Sequence, residues 1–279
     1  MTVVLLWLGS ALLAASVVWR TTGSVAVRAP LRRRNHRGLE LANAGGITII
    51  MGILAGLGLV AVVRALTGTT SDRLLGAAAW GLRGGVAVLG FGLLGLWDDL
   101  SEQGHGWRTH LGAVARGEVT GGAVKLAGGV ALALVVVAPT ESTLWWTIGD
   151  AALVAMSANA FNLFDAKPGR AGKVFLIAAL PMAIVGGPTA PMLAAGIGGV
   201  VAFLPFDLRE RAMLGDAGAN AIGALIGVGI VAVGSDLARI VALGALLVLH
   251  VLAERPGLSV AIARVPPLRT FDQAGRVAP

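Results

Sequence analysis

The chain has 279 residues, 56% of them hydrophobic and only 13% charged, with a formal net charge of +7 and a mean hydropathy of +0.82. A soluble domain usually carries about 25% charged residues, so this chain cannot cover itself with a polar surface and its surroundings must be largely lipid. With no Cys, disulfides and thiolate metal sites are excluded, and the positive charge, set between apolar segments, reads as a membrane topology signal and not as a nucleic-acid footprint.

Crossing the hydrocarbon core takes about 20 apolar residues. That ruler predicts an all-α polytopic membrane protein with about nine transmembrane helices in one bundle, at 2–19, 44–65, 74–97, 121–138, 143–163, 172–187, 189–205, 217–234 and 237–253. The first apolar run has no basic residue before it and Arg20 after it, so it reads as a retained span and not as a signal peptide. The 41 glycines fit a bundle whose helices approach through small residues.

Lys and Arg collect on one face. Arg20, Arg28, Arg32, Arg33, Arg34 and Arg37 follow the first span, Arg108 and Arg116 the third, and Lys167, Arg170 and Lys173 the fifth. Arg209 and Arg211 follow the seventh, and Arg255, Arg264, Arg269 and Arg276 lie in the tail. The positive-inside rule then places the N-terminus outside and the C-terminus in the cytoplasm. Trp145 and Trp146 fit an outer aromatic belt. With no internal repeat or linker, residues 1–253 are expected to form one transmembrane domain and 254–279 a basic cytoplasmic tail.

Four clusters on the inner face could carry chemistry. In Trp97-Asp98-Asp99-Leu100-Ser101-Glu102 the acids share one side of a helix end, where the helix dipole disfavours negative charge and a cation such as Mg²⁺ would compensate. A solvated helix end is the plainer reading. In Asn159-Ala160-Phe161-Asn162-Leu163-Phe164-Asp165, polar residues recur every third position and should face a bundle interior or a watery cavity, unless Asn simply bonds between helices. The loop that follows, with Lys167, Pro168, Gly169, Arg170 and Lys173, could hold phosphate, although positive-inside charge explains its cations equally well. Asp216, in Leu214-Gly215-Asp216-Ala217-Gly218-Ala219-Asn220, could cap a helix or hold a metal. His36, His105 and His110 read as solvated loop residues.

In this order the clusters resemble the polyprenyl-phosphate N-acetylhexosamine-1-phosphate transferase family, the family-4 glycosyltransferases. The motifs are WDDLSE at 97–102, NAFNLFD at 159–165 and LGDAGAN at 214–220, supported by Asn35-His36-Arg37-Gly38, Gly45-Gly46 and Gly121-Gly122-Ala123-Val124-Lys125. The resemblance implies transfer of a sugar-1-phosphate from a UDP-sugar to polyprenyl phosphate, usually undecaprenyl phosphate, in a bacterial cell (inner) membrane for cell-wall or surface glycan synthesis. It also implies a cytoplasmic site and an Mg²⁺ cofactor. By motif matching, Asp98, Asp99 and Asp216 would be catalytic, with Asp99, Asn162 and Asp216 on the metal. Lys125, Asn159 and Asp165 would bind substrate by the same matching, and Lys167 and Arg170, from the cationic loop, are expected to bind its phosphates. The partners implied are the lipid, the UDP-sugar and the bilayer, with no nucleic acid, and a homodimer is compatible with the sequence.

Two features of the family do not occur here. The HxHH motif of a late inner loop is absent, and Ala166 to Ala171 replace the usual Gly-Leu-Asp-Gly-Leu run after Asp165. The alternative is therefore a catalytically degenerate relative that binds polyprenyl phosphate or metal without transfer. An ion-coupled transporter fits less well, because the acids sit at one surface and no repeated halves are visible.

Overall fold

The computed structural model describes residues 32–43, 45–68, 72–100, 121–138, 143–254 and 257–277, with scattered positions between 9 and 20. The expected span at 2–19 lies mostly outside the described residues, as do Glu102, His105, His110 and Arg255.

The chain is mostly helical. Among the described residues are eight helices of 16 to 29 residues: α1 (Gly45–Thr67), α2 (Asp72–Leu100), α3 (Gly121–Val137), α4 (Leu144–Phe164), α5 (Arg170–Val185), α6 (Ala190–Leu208), α7 (Gly215–Val233) and α8 (Asp236–Glu254). Two short helices, α9 (Leu258–Arg264) and α10 (Pro266–Gln273), follow. Among the described residues, four segments are long and apolar enough to cross a membrane: Gly76–Leu100, Ala190–Leu208, Gly215–Val233 and Asp236–Ala253. Gly45–Leu59 and Gly122–Val137 are shorter apolar helices. This is a membrane protein, and its long exposed apolar faces, such as Leu237, Ile240, Val248 and Val251 of α8, are what lipid would cover.

The expected helices at 172–187 and 189–205 begin and end a few residues away, at Arg170–Val185 and Ala190–Leu208. Gly186 and Gly187 adopt positive φ (88° and 90°) and turn the chain between them.

Among the described residues, the one departure from all-α is a small antiparallel hairpin, β1 (Arg32–Arg34) and β2 (Glu40–Ala42), in a stretch read from sequence only as an inner loop. Asn35 makes its turn: the side-chain Oδ1 accepts from the N–H groups of Arg37 and Leu39, both at 2.9 Å, and Gly38 takes φ 78°. Ala42 then bridges Ala212, so the hairpin is fastened to the segment leading into α7.

Helix α7 is the axis of the fold. It packs along α2 and α4 and also touches α1 and α5, and nearly all of its residues are buried. Its sequence is mostly Gly and Ala, and small residues are what let neighbouring backbones close in where no hydrophobic force drives helices together. The crossing of α1 over α7 is the tightest: a Cβ on Gly46 would overlap the backbone of Gly218. Consecutive long helices run antiparallel, so one end of the bundle gathers the start of α1, the end of α2, the start of α3, the end of α4, the start of α5, the end of α6 and the start of α7. The sequence clusters meet at that end.

Candidate functional site

The start of α7 organises the site. A helix leaves its first N–H groups without intrahelical partners. Here two aspartates from other helices take them. Asp99, on α2, accepts from the Asp216 N–H through Oδ1 (3.0 Å) and from the Ala217 N–H through Oδ2 (3.0 Å). Asp165, which caps the end of α4, accepts from the Gly215 N–H. Asp216, which the sequence left open as helix cap or metal ligand, is thus not the N-cap. It sits inside the first turn, with Leu214 at the cap position, and its carboxylate is left free for other partners. Gly215 is needed there: it adopts φ 71°, and a Cβ would press into the Asn43 carbonyl and the Asp99 carboxylate.

Asp99 is held on every side. Asn43 Nδ2 donates to its Oδ1 at 2.7 Å, and Arg33 Nη2 donates to its main-chain carbonyl at 2.6 Å. The charge that the α2 C-terminus disfavours is therefore compensated by the positive end of α7.

Asp98 turns the other way. Lys125, one turn into α3, places its ammonium 2.6 Å from Asp98 Oδ2 and 3.1 Å from Asp216 Oδ2, bridging two carboxylates from different helices. Their side chains keep 36% and 35% exposure, so both remain open to an incoming ligand.

Beside this triad lies a cavity of about 290 Å³. Asp99, Asp165, Asp207 and Asp216 supply its acidic wall, Arg33, Arg34 and Lys167 supply cations, and His36 adds an imidazole. Desolvation in this wall, reinforced by the charges of Asp207, Asp216 and Asp99, pushes the Asp165 carboxyl well above the ordinary carboxylate range. Burial, with Lys167 nearby, holds His36 below the usual imidazole value.

The structure brings together Asp98, Asp99, Lys125, Asp165, Lys167 and Asp216 from the residues singled out in the sequence. It does not bring Asn159 to the cavity: Asn159 Nδ2 lies 2.9 Å from His250 Nε2 on α8. Because His250 Nδ1 is 2.7 Å from the Leu246 carbonyl, Nδ1 carries the proton and Nε2 accepts from Asn159, an interhelical bond. Nor is Arg170 free for substrate. It is buried, with Nε and Nη2 on the Asp272 carboxylate at 2.7 and 3.0 Å. Sequence reading attributed its charge to the loop and had no means of pairing residues 102 positions apart.

Three site residues were not singled out from the sequence, and His36, read there as a solvated loop residue, lines the cavity. Asn43 orients Asp99. Asp207 is buried at the end of α6 and accepts the Gly169 N–H at 2.9 Å. Glu210, the one described non-glycine residue with positive φ (51°), accepts from Asn35 Nδ2 at 2.9 Å and from Arg37 Nη1 at 3.3 Å, tying the hairpin down. The available signal was two acids in a stretch, Asp207-Leu208-Arg209-Glu210-Arg211, weighed only for its arginines.

The fit to a divalent cation is incomplete. The Lys125 ammonium occupies the gap between Asp98 and Asp216, the place where positive charge is wanted. Asn162 Oδ1 is buried with no hydrogen-bond partner among the described residues, an acceptor still to be satisfied. Asp99, in contrast, already has both oxygens engaged by N–H donors. Among the described residues no three His, Asp or Glu side chains converge to hold an ion unaided, so a bound ion would need oxygens from substrate, as Mg²⁺ commonly does.

Comparison with curated proteins gives no match. The family model described as Glycosyl transferase family 4 matches residues 82–234, which run from α2 to the end of α7 and include the triad, Asp99 and Asp165. That is more than half of the chain, and the protein belongs to glycosyl transferase family 4.

Proposed function

We propose that this protein transfers a sugar-1-phosphate from a UDP-sugar to polyprenyl phosphate, such as undecaprenyl phosphate, at the cytoplasmic face of a bacterial membrane, with Mg²⁺ as cofactor and for surface or cell-wall glycan synthesis. Family-4 transferases in general move a phospho-sugar onto a polyprenyl phosphate. The observation that carries the reading is the Lys125 ammonium bridging Asp98 and Asp216 at the edge of a cavity with both acidic and cationic walls.

In the reaction, an oxygen of the lipid phosphate bonds to the β-phosphorus of the donor, and the bond from that phosphorus to the bridging oxygen breaks. UMP leaves with the electron pair. Such a transfer asks for positioning and charge neutralisation more than for covalent chemistry. Asp216 and Asn162 would hold Mg²⁺ together with substrate oxygens, and the ion would neutralise the diphosphate. Asp98 orients the lipid phosphate and takes its proton where one is present. Lys125 keeps the two carboxylates together and turns its ammonium to phosphate when substrate enters. Lys167 and His36 face the donor's phosphates from the other wall. Asp99 positions: it aims the first turn of α7, and Asp216 with it.

The test uses purified protein in detergent with undecaprenyl phosphate, Mg²⁺ and a panel of UDP-sugars, scoring UMP release. Release that requires lipid and metal and is lost in Asp216→Asn supports transfer. The second reading, a binder without transfer, is favoured by the absent HxHH motif and by Lys125 already neutralising the triad. Lipid binding with no UMP from any donor would establish it and overturn the first.

A further inference from the structure

The described tail lies outside the segment matched by the family model, yet it packs against a loop that lines the cavity. Arg170 and Lys173 stand in the first turn of α5, where the helix dipole disfavours cations and the helix offers no acid of its own. Asp272, on α10 and 8% exposed, supplies the missing carboxylate to Arg170. Arg276 Nη2 joins the same carboxylate, and Arg170 Nη1 donates to Ser259 Oγ at 2.9 Å. Lys173 Nζ donates to the carbonyls of Phe271, Asp272 and Ala274 at 2.8, 2.7 and 3.1 Å, closing the C-terminal end of α10.

This cluster borders the loop at 165–168, whose four residues all line the cavity. Arg276 Nε donates to the Pro168 carbonyl at 2.8 Å, and Asp207 accepts the adjacent Gly169 N–H at 2.9 Å. Lys167 is therefore held in a loop fixed from both sides, by the tail and by α6. Removing the Asp272 charge would leave three cations, Arg170, Lys173 and Arg276, facing one another, with Arg170 buried and unpaired. An unpaired buried charge is not tolerated in place, so the loop would move.

Resting on the transfer reading above, we propose that the tail is part of the donor subsite: Asp272 and Arg276 are positioning residues that set the 165–168 loop, and Lys167 with it, against the phosphates of the UDP-sugar.

The experiment compares the full-length protein with Asp272→Asn, Asp272→Glu and the charge exchange Arg170→Asp/Asp272→Arg. It reads amide hydrogen exchange at 165–169 and steady-state UMP release. Asp272→Asn is expected to speed exchange in the loop and to raise the donor KM about tenfold or more, with the lipid KM and kcat changed far less. Asp272→Glu or the exchange variant should recover part of both effects. Unchanged loop exchange overturns the proposal, and so does a loss shared equally by donor KM, lipid KM and kcat, which would mark a general structural role. A wild-type protein that turns over no donor while loop exchange behaves as expected sinks the transfer reading and leaves the anchoring of the loop supported.

Discussion

Neighbouring aspartates at the end of α2 do different work because their side chains leave the helix in different directions. Asp99 satisfies two N–H groups of α7, whereas Asp98 and Asp216 share the Lys125 ammonium. Asp99→Asn is expected to cost about 1–2 kcal/mol, the worth of a charged helix cap, seen as a lower thermal midpoint in detergent. Asp216→Asn should barely move that midpoint but lower UMP release by about 10²-fold or more. Equal destabilisation by both changes would contradict this division of labour. Asp165 adds a pH dependence. Its carboxyl is raised by burial and by neighbouring acids, so the folded protein holds this proton after the unfolded chain has lost it. Stability therefore falls as pH rises from about 4, the unfolded value, towards the higher folded one. Asp165→Asn should flatten that fall in a series of thermal midpoints across pH, and parallel profiles for the two proteins would refute the assignment. The acids themselves were legible in the sequence, since charge at a membrane helix end demands a reason. Their partners were not: Asn43, Lys125 and the α7 amides come from elements that only packing brings within bonding distance.

At the scale of elements, the site depends on how closely α1, α2 and α7 approach. Gly46 has the backbone of Gly218 against it, and the N–H groups of Gly45 and Gly46 bond the carbonyls of Met213 and Leu214 at 3.1 and 2.9 Å. Gly46→Val must separate α1 from α7, and overpacking of this kind typically costs about 1–3 kcal/mol. The expected result is a lower thermal midpoint together with weaker UMP release, because the Asn43 contact to Asp99 lies three residues away. A variant as stable and active as the parent would show that the crossing is not what sets the site. The long helices were readable because apolar length is a local property. The hairpin was not, since three-residue strands carry no periodicity to detect and this one is stabilised by Ala212 and Glu210 from beyond α6.

Considered as a whole, the molecule gathers its catalytic candidates, its hairpin and its tail at one end of an antiparallel bundle. Trp145 lies at the start of α4 and Asp165 at its end, one helix length apart. The natural chain contains no Cys, so single substitutions can report sidedness directly. Trp145→Cys should react with an impermeant maleimide added outside intact cells, and Arg34→Cys only after the membrane is opened. Labelling of both from outside would reverse the proposed orientation. The same arrangement explains why the tail is not an appendage. Expected as a basic tail, it provides the acid that buried Arg170 requires.

From its sequence alone the protein's class follows: continuous apolar runs of about 20 residues fit helices, which satisfy their own backbone in lipid, and the ordered polar motifs carry the family resemblance. Tertiary structure decided which of those polar residues form a site. Asn159, by its motif, and Arg170, by its loop's charge, were expected to bind substrate, but each has a partner from a distant part of the chain, His250 and Asp272. Asp99, expected on the metal, accepts the first N–H groups of α7. The physical reason is common to all three. A polar group removed from water must be paired, and where several partners are chemically adequate, the fold selects among them by distance, which no local pattern encodes.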